Sequence, residues 1–286
     1  MKKVILITGT NSGFGYLTAK GAAERGHVVY ASMRNTTSKN KERAEELNNL
    51  ENISVIDIDV TDASSVENGI SHIIEKEGRL DVLVNNAGYY GGGITESYTE
   101  HDVNAMFNVN LLGSWRTIKN ALPEMRKQGE GLIINVSSSL GRFSAPFMTI
   151  YNSTKFAVEG LSEGLHYELR PLGVDVAIIQ PGAFPTEIFS KTASGSDDQV
   201  AGGYGELASI PEQVGQGMMQ MFESVKPNPQ MVPDAIFGLI DKPQGQRPLR
   251  TVVDAITGDF VEQSNENVKK DFDKFLTAFG MGAMLN

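Results

Sequence analysis

A short aliphatic run, Val4-Ile5-Leu6-Ile7, breaks into Thr8-Gly9-Thr10-Asn11-Ser12-Gly13-Phe14-Gly15 and then into a stretch whose Ala19, Ala22 and Ala23 recur at helical spacing. A run that short and that apolar is the mark of a strand buried in a parallel sheet. Arg25-Gly26-His27 stops the helical pattern at a glycine, and Val28-Val29-Tyr30-Ala31 opens a second aliphatic run. Strand, glycine turn, helix and strand in that order make one βαβ unit. Glycines at 9, 13 and 15 let the backbone turn tightly and approach a pyrophosphate, whose charge the unpaired N–H groups at the helix N-terminus stabilise. A glycine-rich turn alone says little; its place between strand and helix makes it a dinucleotide site.

The alternation continues along the chain. Strands are expected near 4–8, 28–32, 53–58, 81–85, 131–136 and 174–180, with helices near 13–25, 40–49, 62–77, 100–127 and 151–170. This pattern predicts an α/β fold, a Rossmann-type doubly wound parallel sheet with helices on both faces. With 286 residues, 40% of them hydrophobic, the chain fills one sizeable core and requires no second domain. Residues 183–232 break the rhythm with Gly, Ser, Pro and Met, and are read as a lid and substrate wall holding one amphipathic helix near 211–225. Its Met218, Met219 and Met221 either line an adaptable apolar pocket or pack as an ordinary helix face. A last strand near 249–254 and a helix near 262–279 close the domain.

Composition excludes several classes of function. A net charge of −10 argues against a nucleic-acid partner and favours a soluble protein. The absence of cysteine rules out disulfides, thiolate catalysis and cysteine-ligated zinc. None of His27, His72, His101 and His166 forms an i, i+4 pair, so no metal site is expected. No stretch approaches about 18 apolar residues, and Met1-Lys2-Lys3 leads straight into a strand, so the expectation is a cytoplasmic chain without a membrane span.

Chemistry enters with Tyr151 and Lys155, four residues apart at the start of a helical pattern, and with Ser137, Ser138 and Ser139 upstream. A phenol and an ammonium on one helix face beside a hydroxyl suit proton exchange with a carbonyl or alcohol oxygen. A free phenol titrates near pH ~10, and an adjacent cation is expected to lower that value. The spacing alone is weak, since eight tyrosines offer eight chances of a lysine at i+4.

Together, the dinucleotide turn and the downstream Ser, Tyr and Lys resemble the short-chain dehydrogenase/reductase family over residues 3–190. Thr8 to Gly15 matches its TGxxxGxG turn, Asn85-Asn86-Ala87-Gly88 its NNAG motif, Tyr151 to Lys155 its YxxxK, and Pro181-Gly182 with Thr186 its PGxxxT. The resemblance implies Asn110, Ser138, Tyr151 and Lys155 as catalytic residues. Ser138 is chosen over its neighbours because it lies 13 residues before Tyr151. Dinucleotide contacts are implied for Gly9, Asn11, Ser12, Gly13, Phe14 and Gly15, for Asp59 and Val60, and for Asn86, Ala87 and Gly88. They extend to Tyr151, Lys155, Pro181, Gly182, Phe184 and Thr186.

Cofactor choice rests on Ala31-Ser32-Met33-Arg34-Asn35, where Met33 holds the place of the NAD-type aspartate and Arg34 offers a planar fork to a 2′-phosphate. NADP(H) is therefore expected over NAD(H), unless Arg34 is only a solvated charge. The segments around Met33 and Phe184 look most like the branch holding hydroxysteroid and retinol-type dehydrogenases. The implied function is interconversion of a ketone or aldehyde with an alcohol, Tyr151 giving or taking the proton. The alternatives are an NAD-dependent alcohol dehydrogenase and a non-catalytic dinucleotide sensor; sensors usually lose the tyrosine or lysine kept here. Phe143, Phe147, Phe184 and Phe189 near the expected mouth point to a hydrophobic small-molecule ketone or alcohol. Family members commonly pair through helices equivalent to 100–127 and 151–170, which implies a homodimer or homotetramer.

Overall fold

In the computed structural model, residues 2–189 and 192–285 are described. Strands β1 (Val4–Thr8), β4 (Val82–Asn85), β5 (Gly131–Val136) and β6 (Val174–Pro181) are buried at every position. A strand tolerates that only when helices cover both faces of its sheet. With β2 (Val28–Met33), β3 (Ile53–Asp57) and β7 (Arg250–Val253) they form one seven-stranded sheet in the order β3-β2-β1-β4-β5-β6-β7, every pairing parallel. The direction of winding reverses between β1 and β4. At such a reversal the connections leave on opposite sides, and the carboxyl ends of the strands open into a crevice.

Period-two alternation sends Ile5 and Ile7 to one side of the sheet and Val4 and Leu6 to the other. The first side is covered by α1 (Gly13–Glu24), α2 (Lys41–Asn48) and a helix at Met231–Asp241; the second by α3 (Ala63–Glu77) and helices at Gly113–Gln128 and Thr149–Leu169. Local signals fix the helix ends. Asp62 caps α3 by accepting from the N–H groups of Ser64 and Ser65, and Gly78 ends it in the left-handed region at φ 69°.

Three features differ from the sequence expectation. The helix expected over 100–127 is α4 (Glu100–Phe107) and α5 (Gly113–Gln128), joined by a π-turn at Asn108–Leu112 that closes with Gly113 N–H donating to the Asn108 carbonyl. The second is a helix that was not anticipated, Met231–Asp241, which follows α6 (Thr149–Leu169), the five-residue α7 (Asp198–Gly202) and α8 (Ile210–Val225) and is therefore α9. Its Pro233 reads as a breaker but sits in the first turn, where the missing N–H costs nothing. A final helix, α10 (Gly258–Ala278), begins earlier than the expected 262. Among the described residues no helix is long and apolar enough to cross a membrane, and no His/Cys/Asp/Glu group could hold a metal.

Helix α9 closes one layer against α1. A Cβ at Gly21 would lie 2.7 Å from the Phe237 ring, and the Arg25 guanidinium sits 3.8 Å from that ring's centroid. Phe237 itself is 2% exposed. Truncating so large a buried ring leaves a cavity, so Phe237→Ala should cost about 3–5 kcal/mol, read as a lowered denaturation midpoint with an unchanged slope.

Candidate active site

At the β1–β4 reversal the backbone of the glycine turn packs closely against the chain after β4. Gly9 stands at φ 71° and Gly13 at φ 54°, conformations that an L side chain rarely adopts. Gly15 has no space for a Cβ: the atom would collide with the Gly9 carbonyl and lie 2.5 Å from Asn86 Nδ2. That amide donates to the carbonyls of Thr8 (2.9 Å) and Gly9 (3.1 Å), while Thr8 Oγ1 accepts from the N–H groups of Asn86 and Ala87, both at 3.0 Å. Ser12, at the N-cap of α1, makes no side-chain capping bond, so the first-turn N–H groups remain for a ligand.

A cleft of about 310 Å³ lies over this turn. The turn lines it with Gly9, Asn11, Ser12, Gly13 and Phe14, the end of β2 with Arg34, the end of β3 with Asp59 and Val60, the end of β4 with Asn86, Ala87 and Gly88, and the segment after β6 with Thr186. Arg34, 59% exposed, pairs at 3.6 Å with Asp59. Burial raises the Asp59 carboxyl, but hydrogen bonds from Thr61 and the Arg34 charge outweigh it and hold the group below its usual range. Glycines that leave room, uncapped amides and a cation at the end of β2 fit a phosphorylated dinucleotide.

Beside the cleft, Asn110, Ser138, Tyr151 and Lys155 come together, all buried. The three serines take different roles. Ser139 Oγ donates to Asp254 Oδ2 (3.0 Å) and the Pro181 carbonyl (3.2 Å), and Ser137 Oγ is buried without a partner among the described residues. Ser138 Oγ accepts from Leu140 N–H at 3.1 Å, donates to the Pro181 carbonyl at 3.5 Å and lies close enough to the Tyr151 phenol to favour its charged form. Lys155 Nζ donates to the Val136 carbonyl at 2.9 Å and stands 5.7 Å from the Tyr151 ring centroid.

The expectation that Lys155 lowers the Tyr151 pKa is not met. Burial pushes the phenol well above its ordinary value, and the nearby Ser138 hydroxyl only partly offsets it. Burial pushes the lysine down to about 8, against an upward pull from Glu159. Desolvation penalises each charged form and outweighs their attraction, the ammonium being turned toward a backbone carbonyl.

Asn110 lies in the π-turn, the kind of wide turn that recurs at functional sites. Its Nδ2 donates to the Tyr89 carbonyl (3.0 Å) and Thr154 Oγ1 (3.1 Å), and its Oδ1 accepts from Tyr89 N–H (3.0 Å). The side chain is thus a strut between α6 and the chain after β4.

A second cavity, about 440 Å³, opens between that chain and α8, walled by Tyr90, Phe147, Met148, Phe189, Met218 and Met219. Tyr90 connects it to the buried Ser138–Tyr151–Lys155 cluster, edge-on to Tyr151 at 5.1 Å and to Phe189 at 5.3 Å. Ala193 N–H donates to the Tyr90 carbonyl and Gly92 N–H to the Ala193 carbonyl, pinning the segment before α7 to the cavity floor. Phe147 stands at φ 63°, its carbonyl accepting from Gly93 N–H at 2.7 Å.

Comparison with known proteins bears directly on this arrangement. The family described as short chain dehydrogenase matches residues 3–197. The chain belongs to that family. The chain is 41% identical over 184 residues to a 3-ketodihydrosphingosine reductase of Bacteroides thetaiotaomicron, a stretch covering 64% of the chain and 65% of that relative. The chain therefore matches just under two thirds of that relative's length. A short-chain dehydrogenase from Streptomyces avermitilis superposes with a TM-score of 0.79 at 29% identity, covering 99% of both chains. ElxO, solved with NADP bound, superposes at 0.71 with 30% identity, covering 89% of this chain and 97% of its own.

Some expected site residues of the short-chain dehydrogenase stand apart from the cleft. Phe184 is 2% exposed and packs edge-on to Phe14 at 5.6 Å, which leaves only its backbone to face a ligand. Pro181 and Gly182 lie beneath the serine loop, Gly182 N–H donating to the Val253 carbonyl at 2.9 Å, with the Asp254 carboxylate where a Cβ would be. Met218, Met219, Phe147 and Phe189 line the second cavity, while Met221 and Phe143 are not among its walls. Sequence reasoning passed over Lys39 and Asn40, which enter the cleft from the loop after β2, and Tyr90. The loop pair carries no periodic signal; Tyr90 could have been found from its place two residues after Gly88.

Gly15→Ala should force the Gly9 turn and Asn86 apart. An overpacked turn of this kind should lower stability by about 1–3 kcal/mol and weaken binding of a fluorescent dinucleotide in titration.

Proposed function

We propose that this chain is an NADP(H)-dependent oxidoreductase that interconverts a hydrophobic ketone or aldehyde with the corresponding alcohol. One observation carries the reading: a phenol held protonated by burial, close to Ser138, stands edge-on at 5.1 Å to Tyr90, which walls the apolar cavity. When bound, the nicotinamide supplies hydride to the carbonyl carbon in reduction and accepts it in oxidation. Tyr151 gives its proton to the substrate oxygen as negative charge develops there, and Ser138 donates a second hydrogen bond to the same atom. Lys155, by family resemblance, holds the nicotinamide ribose, and Asn110 sets the frame that carries a water toward the lysine. Residues 183–232, with α8 as their longest helix, act as lid and substrate wall. The Bacteroides relative is named as a reductase of a keto compound, which agrees with the direction proposed.

NADP is favoured over NAD because the end of β2 offers Arg34 and no carboxylate, Lys39 enters the same cleft, and ElxO was solved with NADP. We further infer a homodimer or homotetramer through α5 and α6, where Trp115 and Phe156 each expose 44% of their surface, beside Leu112 of the π-turn at 41%. Light scattering at micromolar concentration should give a multiple of the single-chain mass; the mass of one chain would rule the oligomer out.

Tyr151→Phe keeps the ring and removes the proton donor. It should fold and bind NADPH, with turnover reduced about 10²-fold or more in an NADPH-consumption assay over a panel of apolar ketones and aldehydes. Near wild-type turnover would defeat the assignment. For the cofactor, wild type should prefer NADPH to NADH by about 5- to 150-fold in kcat/KM, and Arg34→Ala should remove most of that preference at fixed ionic strength. Wild type that turns over NADH as well as NADPH, with Arg34→Ala leaving the ratio unchanged, would show that Arg34 is only a solvated charge.

A further inference from the structure

The register of the last strand lays a carboxylate against the serine loop. Pro181 of β6 pairs with Val253 of β7, so Asp254, one residue on, falls beside Gly182. There it fills the space a side chain would need, since a Cβ at Gly182 would lie 2.5 Å from both carboxylate oxygens. Each of those oxygens takes two hydrogen bonds. Oδ1 accepts from the N–H groups of Ile256 (2.9 Å) and Thr257 (3.1 Å), which turns the chain into α10. Oδ2 accepts from Thr257 Oγ1 and, at 3.0 Å, from Ser139 Oγ.

Of these four bonds, the one from Ser139 leaves the β7–α10 corner. Ser139 opens a short turn, Ser139–Gly141, that is capped by Ser138, whose Oγ accepts from Leu140 N–H at 3.1 Å. The hydroxyl that the proposed reaction aims at the substrate oxygen is therefore placed by that turn, and Ser139 ties the turn to the neighbouring strands. Both hydroxyls also reach one acceptor, the Pro181 carbonyl, Ser139 at 3.2 Å and Ser138 at 3.5 Å. A hydroxyl has one proton to give, and a carboxylate is the stronger acceptor, so Asp254 draws the Ser139 proton and fixes its rotamer. Asp254 lies beyond residues 3–197, the stretch that matches the family. We propose that Asp254 is a positioning residue for Ser138, acting through Ser139, so that the β7–α10 corner sets the alignment of the reaction. The proposal rests on the role given to Ser138 above.

A displaced Ser138 should cost turnover rather than binding. Its bond to the substrate oxygen strengthens as negative charge develops there, and neither Ser139 nor Asp254 lines the dinucleotide cleft. The two duties of Asp254 are separable. Holding the entry to α10 uses Oδ1 and Thr257, and its loss would be read in stability; holding Ser139 uses Oδ2, and its loss would be read at the Ser138 turn. Ser139→Ala removes the second and spares the first. Asp254→Asn keeps the shape and offers an amide that donates to Ser139 Oγ, so the tie survives with its polarity reversed.

The test compares wild type with Ser139→Ala, Asp254→Ala, the double variant and Asp254→Asn in NADPH-dependent ketone turnover, NADPH binding, thermal midpoint and NMR-detected hydrogen exchange of the Leu140 amide, which reports the Ser138 bond directly. Ser139→Ala and Asp254→Ala should each lower kcat about 3- to 10-fold and speed Leu140 exchange, with NADPH binding and KM for the ketone little changed. The double variant should turn over no more slowly than Asp254→Ala, because both substitutions cut one tie. Asp254→Ala alone of the two single variants should lower the thermal midpoint. Asp254→Asn should keep kcat within about twofold of wild type; a loss as large as that of Asp254→Ala would overturn the geometric account. Wild-type kcat and Leu140 exchange in either folded alanine variant would also overturn the proposal, and if Asp254→Ala does not fold, Ser139→Ala decides alone. Wild type that binds NADPH but reduces no ketone would defeat the functional reading instead. The tie from Asp254 to Ser138 would then stand or fall on the exchange of Leu140.

Discussion

Everything at the site depends on how closely β1 and β4 can be joined at the point where the sheet reverses its winding. The join is made by Thr8 and Asn86, which exchange side-chain-to-backbone bonds across the two strands. Those bonds need the backbone of Gly9 and Gly15 to lie against the Asn86 amide, which no side chain would permit. The same closeness that seals the core aims the amides of α1 outward. Core packing and ligand binding here are one constraint seen from two sides.

Burial then does the electrostatic tuning. In the apolar cluster of Tyr90, Met106, Met148 and Tyr151 a phenol keeps its proton, and a lysine beside it comes within reach of neutrality. An acid that holds its proton until an oxygen arrives is well matched to reduction, where the proton is needed only as charge develops. The lysine's own charge becomes sensitive to surrounding residues that would be indifferent in water, because the low dielectric strengthens every pairing as well as every omission.

Much of this was legible in the sequence, for physical reasons. The strands of the sheet centre are apolar on both faces and announce themselves, and the glycine turn, NNAG and YxxxK are local patterns with local causes. What escaped depends on tertiary context. Pro233 marks a helix start only once α9 is seen to pack on α1, and the π-turn is written in Asn110's bonds to Tyr89 and Thr154 rather than in any breaker. The direction of the Tyr151 shift could not be read from a lysine four residues away, since the lysine turns to Val136. The hydrogen bond from Arg142 to Asn265 spans 123 residues, beyond the reach of any spacing rule.

Phe147 stands in the left-handed region, at φ 63°, with its ring in the wall of the apolar cavity. A residue with a bulky Cβ substituent costs about 1–2 kcal/mol in that conformation, and glycine would relieve it. Glycine would also remove the wall. The aromatic side chain at this position thus records a trade of folding stability for the shape of a cavity, made where the Phe147 carbonyl holds the Gly93 turn and the conformation cannot relax without unpinning it.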